Sequence, residues 1–492
     1  MCLLALYSSN ISPKSSNPSR GMSQKAGTGF YYGSRLLQPA SDVTGLSIDQ
    51  VNFVATQLAA ILLAVPFHWM LHPSRVSATT RHLFEFIFGV ILVFFCFGSQ
   101  FIHLCLQTLL CYVVMHTLPR YSHGLCFFVS MGYLSVLQIY RQIYDYGGYT
   151  LDITGPLMIS TQKLSDLAFS VHDGMQKEEK QLNPSQLKYA QKKIPSILEM
   201  MSYVFAFHFV MVGPTAFYQD YSDFISGRNI GIGQSSFVST GKYVTPQPWM
   251  ISLKKLLTCL ICVVLVTQVT PLFPVTYVKD EEYLSATFLY KVAYMLLSVS
   301  LVRAKYYFAW SLAEMGCVAN GYGYNGLKED GTEDWDMIQN ADVWGVETCT
   351  SMKLNMDSWN IRTLMWLRRT VYDRVPRHNT LAVFFISAFW HGFYPGFYIA
   401  FSTGAAFIFA NRSIRRVVRP YFLKSRPLHF FYDVITFIGT RLCNVYMAVP
   451  VILYEFMPVL NFYRSQYFWM HIIAFAAIFC LPKRPSSRKK TE

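Results

Sequence analysis

The sequence predicts an all-α polytopic membrane protein, and three observations carry that prediction. Only 14% of its 492 residues are charged and 52% are hydrophobic, where soluble proteins average roughly 25% charged. Apolar runs near the ~20 residues that cross a bilayer recur from Ile48 onward. The excess of base, 42 Lys plus Arg against 28 Asp plus Glu, falls in short loops between those runs. Positive-inside topology and anionic headgroups require that pattern. In a soluble chain the same net charge would raise nucleic acid as a partner. Here the membrane accounts for it, and no nucleic-acid binding is expected.

Length alone would suggest about three soluble domains, but the apolar runs make one. A flexible arm over 1–45 precedes a multi-span domain over 46–482, and a basic tail follows over 483–492. The arm is rich in Ser, Gly, Pro and Lys and has no apolar run long enough for a signal peptide. Met22 offers a second start, and Asn10-Ile11-Ser12 is a glycosylation sequon that matters only if the arm is luminal.

Candidate spans lie at about 51–71, 83–101, 102–118, 123–140, 199–218, 252–273, 284–302, 304–319, 380–410, 431–455 and 465–482. They amount to roughly nine to twelve helices. The run over 380–410 is too long for one simple span. It reads as a tilted helix, or as two helices broken near Gly392 to Gly396. Residues 172–195 are too polar to insert, and Asn183-Pro184-Ser185 supplies a start signal for a surface helix. Residues 323–350, rich in Gly, Asp, Asn and Trp, read as an irregular cap over the core. Tyr218, Asp220 and Asp223 read as a turn at the membrane surface.

The 11 cysteines are odd in number and lie mostly inside apolar stretches, as Cys96, Cys105, Cys111, Cys126 and Cys480 do. They read as small buried hydrophobes. Cys259 and Cys262 have CxxC spacing but no second pair and no nearby His, so no metal site is expected.

Residues 381–401, LAVFFISAFWHGFYPGFYIAF, would pass for a plain span but for His391. An imidazole at bilayer depth is costly and marks a functional site by default. Trp359-Asn360 opens the segment before it, 31 residues upstream of His391 (391 − 360), so only tertiary folding can join the two. A neutral imidazole can take a proton from a hydroxyl that attacks an acyl group. An Asn amide can hold a substrate or a developing oxyanion. Blander readings stand beside these: a membrane histidine also binds haem or metal or caps a carbonyl, and an Asn after Trp also caps a helix. A GxSxG elbow, a His-x4-Asp pair, a Walker A loop and an HExxH motif are all absent. No internal transporter repeat is evident.

Trp359-Asn360 followed by Trp390-His391-Gly392 resembles the asparagine–histidine pair of the membrane-bound O-acyltransferase family. Further stretches extend the likeness to its lysophospholipid acyltransferase branch: YGGYTLDITGP (146–156), Thr161-Gln162-Lys163, His172-Asp173-Gly174, Gly213-Pro214, residues 218–224, KYYFAWSL (305–312) and WHGFYPGFY (390–398). It runs from about residue 37 to 482. Phe393 and Phe397 stand where relatives often carry Val and Tyr, which leaves fine substrate preference open.

The resemblance implies helices around a central tunnel, with acyl-CoA as co-substrate and no bound cofactor. An acyl chain, unsaturated as in oleoyl, would pass to the free hydroxyl of a lysophospholipid, with lysophosphatidylethanolamine and lysophosphatidylserine the implied acceptors. His391 would be the general base and Asn360 would orient substrate. Trp359, Trp390, Lys305, Tyr306 and Trp310 would line the tunnel, with plain helix packing as the alternative for the stripe over 305–310. Arg362, Arg368, Arg369 and Arg374 would meet the CoA phosphates, or anchor the cytosolic face. Two rival functions are a protein or peptide O-acyltransferase of the same superfamily and a non-catalytic channel or scaffold. Retention of both Asn360 and His391 counts against the second. The tail SSRKKTE sets Lys489 and Lys490 fourth and third from the end, matching a signal read by coat-protein retrieval machinery of the endoplasmic reticulum. A stop-transfer cluster is the alternative, and both place the C-terminus in the cytosol.

Overall fold

The computed structural model describes residues 30–148, 150–232 and 246–482. The sequon at Asn10, the start at Met22 and the retrieval lysines Lys489 and Lys490 lie outside them.

The first half of the chain wraps one buried helix. Helix α1 (Ile48–Met70) opens on a capping box between Ser47 and Gln50, which satisfies two amides that a helix start otherwise leaves orphaned. Ser77 caps α2 (Ala78–Phe97) by accepting from the Thr80 amide. A kink at Gly98, where φ is 56°, separates α2 from α3 (Ile102–Thr117), and α4 (Ser122–Tyr144) follows. These match the expected spans. The centre of the half is α5 (Thr154–Gln176), which packs on α4 and has no counterpart among the expected spans. Thr161, Gln162, Lys163, Ser165, Asp166 and Asp173 are all buried on it. Its polar residues hid it from a search for apolar runs.

Two expectations fail here. The apolar run over 199–218 does not span as a helix: α6 (Ile197–Phe205) ends after nine residues, and irregular backbone follows, wholly buried to Tyr218. Irregular backbone survives at such depth only inside protein. Lys163 Nζ donates to the carbonyls of Tyr203 and Val204 at 3.1 Å each and so closes the end of α6. The second failure concerns residues 218–226. They form a helix, α7 (Tyr218–Ser226), in which Tyr218 and Asp220 face inward and only Asp223 reaches an outer partner, Arg228.

The expected surface helix over 172–195 is also shorter than its pattern. Residues 172–176 complete α5, and Asn183 starts a helix of six residues, Pro184–Tyr189. Tyr189 then turns inward, with its ring 5.2 Å from Phe217, and the chain leaves helical geometry.

The second half is built on longer helices. α8 (Trp249–Val264) packs along α9 (Phe288–Ala319). The expected spans 284–302 and 304–319 are one helix: α9 runs unbroken for 32 residues through Arg303, whose charge Glu347 pairs. The cap over 323–350 is irregular as expected, apart from a short helix, α10 (Val343–Thr348). Gly321, Gly323 and Gly326 share GxGxxG spacing, but they follow a helix and no strand, so a dinucleotide-binding reading does not arise. Then come α11 (Ile361–Leu367), α12 (Asn379–His391), α13 (Pro395–Val417), α14 (Arg426–Leu453) and α15 (Trp469–Phe479). The long apolar run thus breaks in two at Gly392.

Among the described residues no strand forms beyond two isolated bridges. Five helical stretches are long and apolar enough to cross a membrane: Ile48–Met70, Ala78–Thr117, Pro119–Tyr144, Trp249–Lys279 and Arg426–Leu453. Others, such as α9 with Lys291, Arg303, Lys305 and Glu314, carry charge inside the fold and fall short on apolarity alone. Two large apolar cores result, one around α1–α7 and one around α9 and α13–α15, beside three small clusters. Helix α12 lies on their seam: Trp390 belongs to the first core and Phe384 to the second.

Candidate active site

Asn360 stands at the start of α11 in left-handed backbone geometry, φ 50° and ψ 48°, which Asn tolerates better than most residues. It occupies the cap position, yet its side chain makes no cap bond. Asn340 does that work. Its carbonyl accepts from the Ile361 amide at 2.8 Å and its Oδ1 from the Arg362 amide at 3.2 Å. Asn340 Nδ2 also donates to Asn360 Oδ1 at 3.1 Å. That bond fixes which end of the Asn360 amide is occupied and leaves its N–H groups for a ligand. Asn340 is itself anchored, since its amide donates to Glu314 Oε1 at 2.8 Å and Glu314 pairs with Lys255.

His391 ends α12. Gly392 follows with φ 120°, a region closed to side chains with a Cβ, so the chain can turn there only at glycine. Trp390 locks the corner from both sides: its Nε1 donates to the Met158 carbonyl at 3.0 Å, and its own carbonyl accepts from Gln138 Nε2 at 3.0 Å. The His391 ring sits in an aromatic bracket, 5.2 Å from Phe401, 5.8 Å from Phe397 and 4.7 Å from Trp390. Among the described residues no protein group hydrogen-bonds either ring nitrogen, which leaves the imidazole open to substrate.

Both residues line one cavity of about 320 Å³. Val299, Val302, Val383, Phe384, Met447 and Val451 make much of its wall apolar. Polar groups enter at few points. Thr215 and Thr363 share Gln162, which accepts from Thr215 Oγ1 and donates to Thr363 Oγ1 at 3.1 Å. Arg303, Asn355 and Asn444 enter elsewhere on the wall.

The sequence candidates divide accordingly. Trp359, Trp390, Tyr306 and Trp310 line the cavity with His391 and Asn360. Trp359 packs 5.0 Å from Trp310 and 5.7 Å from Tyr306, ring to ring. Lys305 is not in the wall. It lies one residue off the stripe of α9 that faces the cavity, and its Nζ rests 5.5 Å from the Tyr306 ring.

The arginines are elsewhere too. Arg362 is 4% exposed; its Nε donates to the Thr215 carbonyl at 2.8 Å and its Nη2 meets Asp220 at 3.5 Å. Arg369 binds Asp166 at 2.7 Å and Ser170 at 3.0 Å. Arg374 grips Asp173 through two bonds, 2.7 and 2.5 Å. Arg369 and Arg374 staple the segment after Asn360 onto α5 and Arg362 ties it to α7, with their charges already matched. Arg368 alone points outward, its side chain 73% exposed and 3.9 Å from Asp373. None of the four lines the cavity.

Sequence reasoning missed Asn340, Asn355, Asn444 and Arg303, which belong to no spacing motif. Arg303 forms a bidentate pair with Glu347 at 2.8 and 2.7 Å, and Tyr307 and Arg441 share that carboxylate. Burial pushes the Glu347 carboxyl up, but bonds from Arg303 and Tyr307 outweigh it and hold the group below the usual carboxylate range. Among the described residues no three His, Cys, Asp or Glu side chains gather as metal ligands would.

The family model described as "MBOAT, membrane-bound O-acyltransferase family" matches residues 139–449, which include both Asn360 and His391. Lysophospholipid acyltransferase 6 of Drosophila melanogaster is 40% identical over 461 residues, covering 92% of this chain and 64% of its own length. Membrane-bound glycerophospholipid O-acyltransferase 2 of Rattus norvegicus is 40% identical over 93% of this chain and 89% of its own. Membrane-bound glycerophospholipid O-acyltransferase 1 of Homo sapiens is 38% identical over 92% and 93%. With the family model covering well over half of the sequence and the rat and human relatives matched over about nine-tenths of both lengths, this chain belongs to the membrane-bound O-acyltransferase family.

Proposed function

We propose that this protein is a lysophospholipid acyltransferase of the endoplasmic reticulum membrane, transferring an unsaturated acyl chain such as oleoyl from acyl-CoA to lysophosphatidylethanolamine or lysophosphatidylserine. The opening of Asn360 and His391 onto one largely apolar cavity is the observation that carries the reading. The names of its relatives supply the acceptor class.

The step balances without a bound cofactor. His391 takes the proton of the acceptor hydroxyl as its oxygen attacks the thioester carbonyl. The developing oxyanion accepts a hydrogen bond from the free N–H of Asn360. Collapse breaks the C–S bond and completes the C–O bond, and the imidazolium returns its proton to the departing thiolate. Trp359, Trp310 and Tyr306 bound the reacting centre and exclude water. Arg368, with its exposed guanidinium, remains the one arginine of the segment free to meet CoA phosphates at a mouth of the site. Recognition of Lys489 and Lys490 by coat proteins, and a cytosolic C-terminus, complete the proposal.

The test is turnover by purified protein with oleoyl-CoA and separate lysophospholipids. Transfer to ethanolamine and serine headgroups supports the reading. Folded protein that acylates none of them, but acylates a peptide, would move the function to the protein-modifying branch.

A further inference from the structure

Arg303 stands at the midpoint of α9, 15 residues from Phe288 and 16 from Ala319 (303 − 288 and 319 − 303). At 1.5 Å per residue that is about 23 Å from either end. The Arg303 side chain is only 9% exposed, and a guanidinium so buried is costly unless it is paired. Glu347 takes its Nε and one terminal nitrogen, which leaves Nη1 without a protein partner among the described residues. Arg441 shares the same carboxylate at 3.2 Å and donates to Cys349 Sγ at 3.1 Å, and its Nε is buried with no partner. Two guanidiniums thus face one carboxylate, and one positive charge stays unmatched.

The neighbouring polar wall has capacity to spare as well. Asn444 Nδ2 donates to Asn355 Oδ1 at 3.1 Å, leaving its second N–H unused. Asn355 spends its own amide hydrogens on the Val346 carbonyl and Cys349 Sγ. Arg303, Asn355 and Asn444 all line the cavity that holds His391. Their hydrogen-bond network runs through Glu347, Cys349 and Arg441. Asn360 belongs to a different network, through Asn340 and Glu314.

We propose that Arg303 and Asn444 form the station that holds the phosphodiester of the acceptor, with Asn355 orienting the Asn444 amide and Glu347 and Arg441 positioning the Arg303 guanidinium from behind. The proposal rests on the acyl-transfer reading and deepens it. A phosphodiester carries one negative charge whatever headgroup it bears, which matches the single unmatched charge of the cluster. The phosphates of CoA carry several. A neutral monoacylglycerol would leave the surplus positive charge of the cluster and its spare N–H donors without a partner, so it is rejected by a missing contact and not by size.

The experiment measures separate KM values for oleoyl-CoA and lysophosphatidylethanolamine, with monoacylglycerol as a phosphate-free acceptor, in wild type, Arg303→Gln and Asn444→Asp. Both variants should raise KM for the lysolipid by about tenfold or more, as loss or repulsion of a charge-assisted contact does. KM for oleoyl-CoA should stay within about twofold, and preference for lysolipid over monoacylglycerol should fall by about tenfold. A rise confined to oleoyl-CoA would assign the guanidinium to CoA and overturn the proposal. So would unchanged constants for both substrates, which would make the cluster a structural staple. Should Arg303→Gln fail to fold, Asn444→Asp, which keeps the Arg303–Glu347 pair, decides alone by the same readouts. If wild type transfers to no lysolipid, the transfer reading fails by itself. Binding of lysophosphatidylethanolamine against monoacylglycerol, followed by fluorescence of Trp310 and Trp359 in the cavity wall, then tests the station independently.

Discussion

At the scale of single residues, the site depends on a division of labour between two asparagines. Asn340 caps α11 and holds the carbonyl end of Asn360, so the residue in the cap position is released from capping. With Asn360 as the proposed oxyanion donor, Asn360→Ala should lower kcat by about 10²–10³. Asn340→Ala should act at one remove: about 1 kcal/mol lost from the helix cap, seen as a lower melting temperature, and a kcat loss smaller than that of Asn360→Ala. Equal kcat in Asn340→Ala and wild type would show that Asn360 needs no anchor. His391 stood out in the sequence as an imidazole within an apolar run, and Asn360 through the resemblance of Trp359-Asn360 and Trp390-His391-Gly392 to a family pair; the structure places both on one cavity. Asn340 and Asn444 did not stand out, since a lone Asn in a polar loop or on a helix carries no period and no spacing. The arginines after Asn360 were misplaced for a related reason. Their partners lie 203 residues away for Arg369 and 142 for Arg362, and sequence shows the cation without the acid that neutralises it.

At the scale of elements, α5 and the α12–α13 corner do most to place the chemistry. Buried pairs contribute less by their attraction than they cost when half is removed. Arg369→Ala leaves Asp166, 1% exposed, as an uncompensated buried charge, and should destabilise by about 3–5 kcal/mol, read as a fall in thermal midpoint of the detergent-solubilised protein. Arg368→Ala, at an exposed position, should leave that midpoint within experimental scatter. In the corner, a Cβ on Gly396 would run into the Pro450 carbonyl, and the Gly396 amide donates to the Tyr454 carbonyl at 2.8 Å. Gly396→Val should therefore cost stability and activity together by pushing α13 off α14. The pair of Arg303 and Glu347 makes a pH prediction. A carboxyl held below its unfolded value stabilises the fold above that value, and the contribution is lost as pH falls through the native one. Wild type should lose thermal stability on acidification below about pH 4.5, and Glu347→Gln should flatten that dependence from a lower starting point. Breaks at Gly98 and Gly392 and starts at Ser47 and Asn183 follow local rules that sequence displays. The extent of α5 does not, because a helix buried on all sides needs no apolar stripe of its own.

At the scale of the molecule, two apolar cores meet along α12, and the cavity lies on that seam. This arrangement brings together Asn360 from the irregular cap side and His391 from the helix end, although they are 31 residues apart in the chain (391 − 360). The membrane class was legible from composition because bilayer solvation acts on every residue. Which apolar run would span, and which would be buried as irregular backbone, depended on partners such as Lys163 that no local pattern reveals. The central claim is that this one cavity transfers an acyl chain with His391 as base. The measurement that tests it most directly is transfer from oleoyl-CoA to a panel of lysophospholipids by purified wild type beside His391→Ala. Wild type should transfer, most strongly onto ethanolamine or serine headgroups, and the folded mutant should lose about 10² or more. Turnover by His391→Ala at the wild-type rate would contradict that claim.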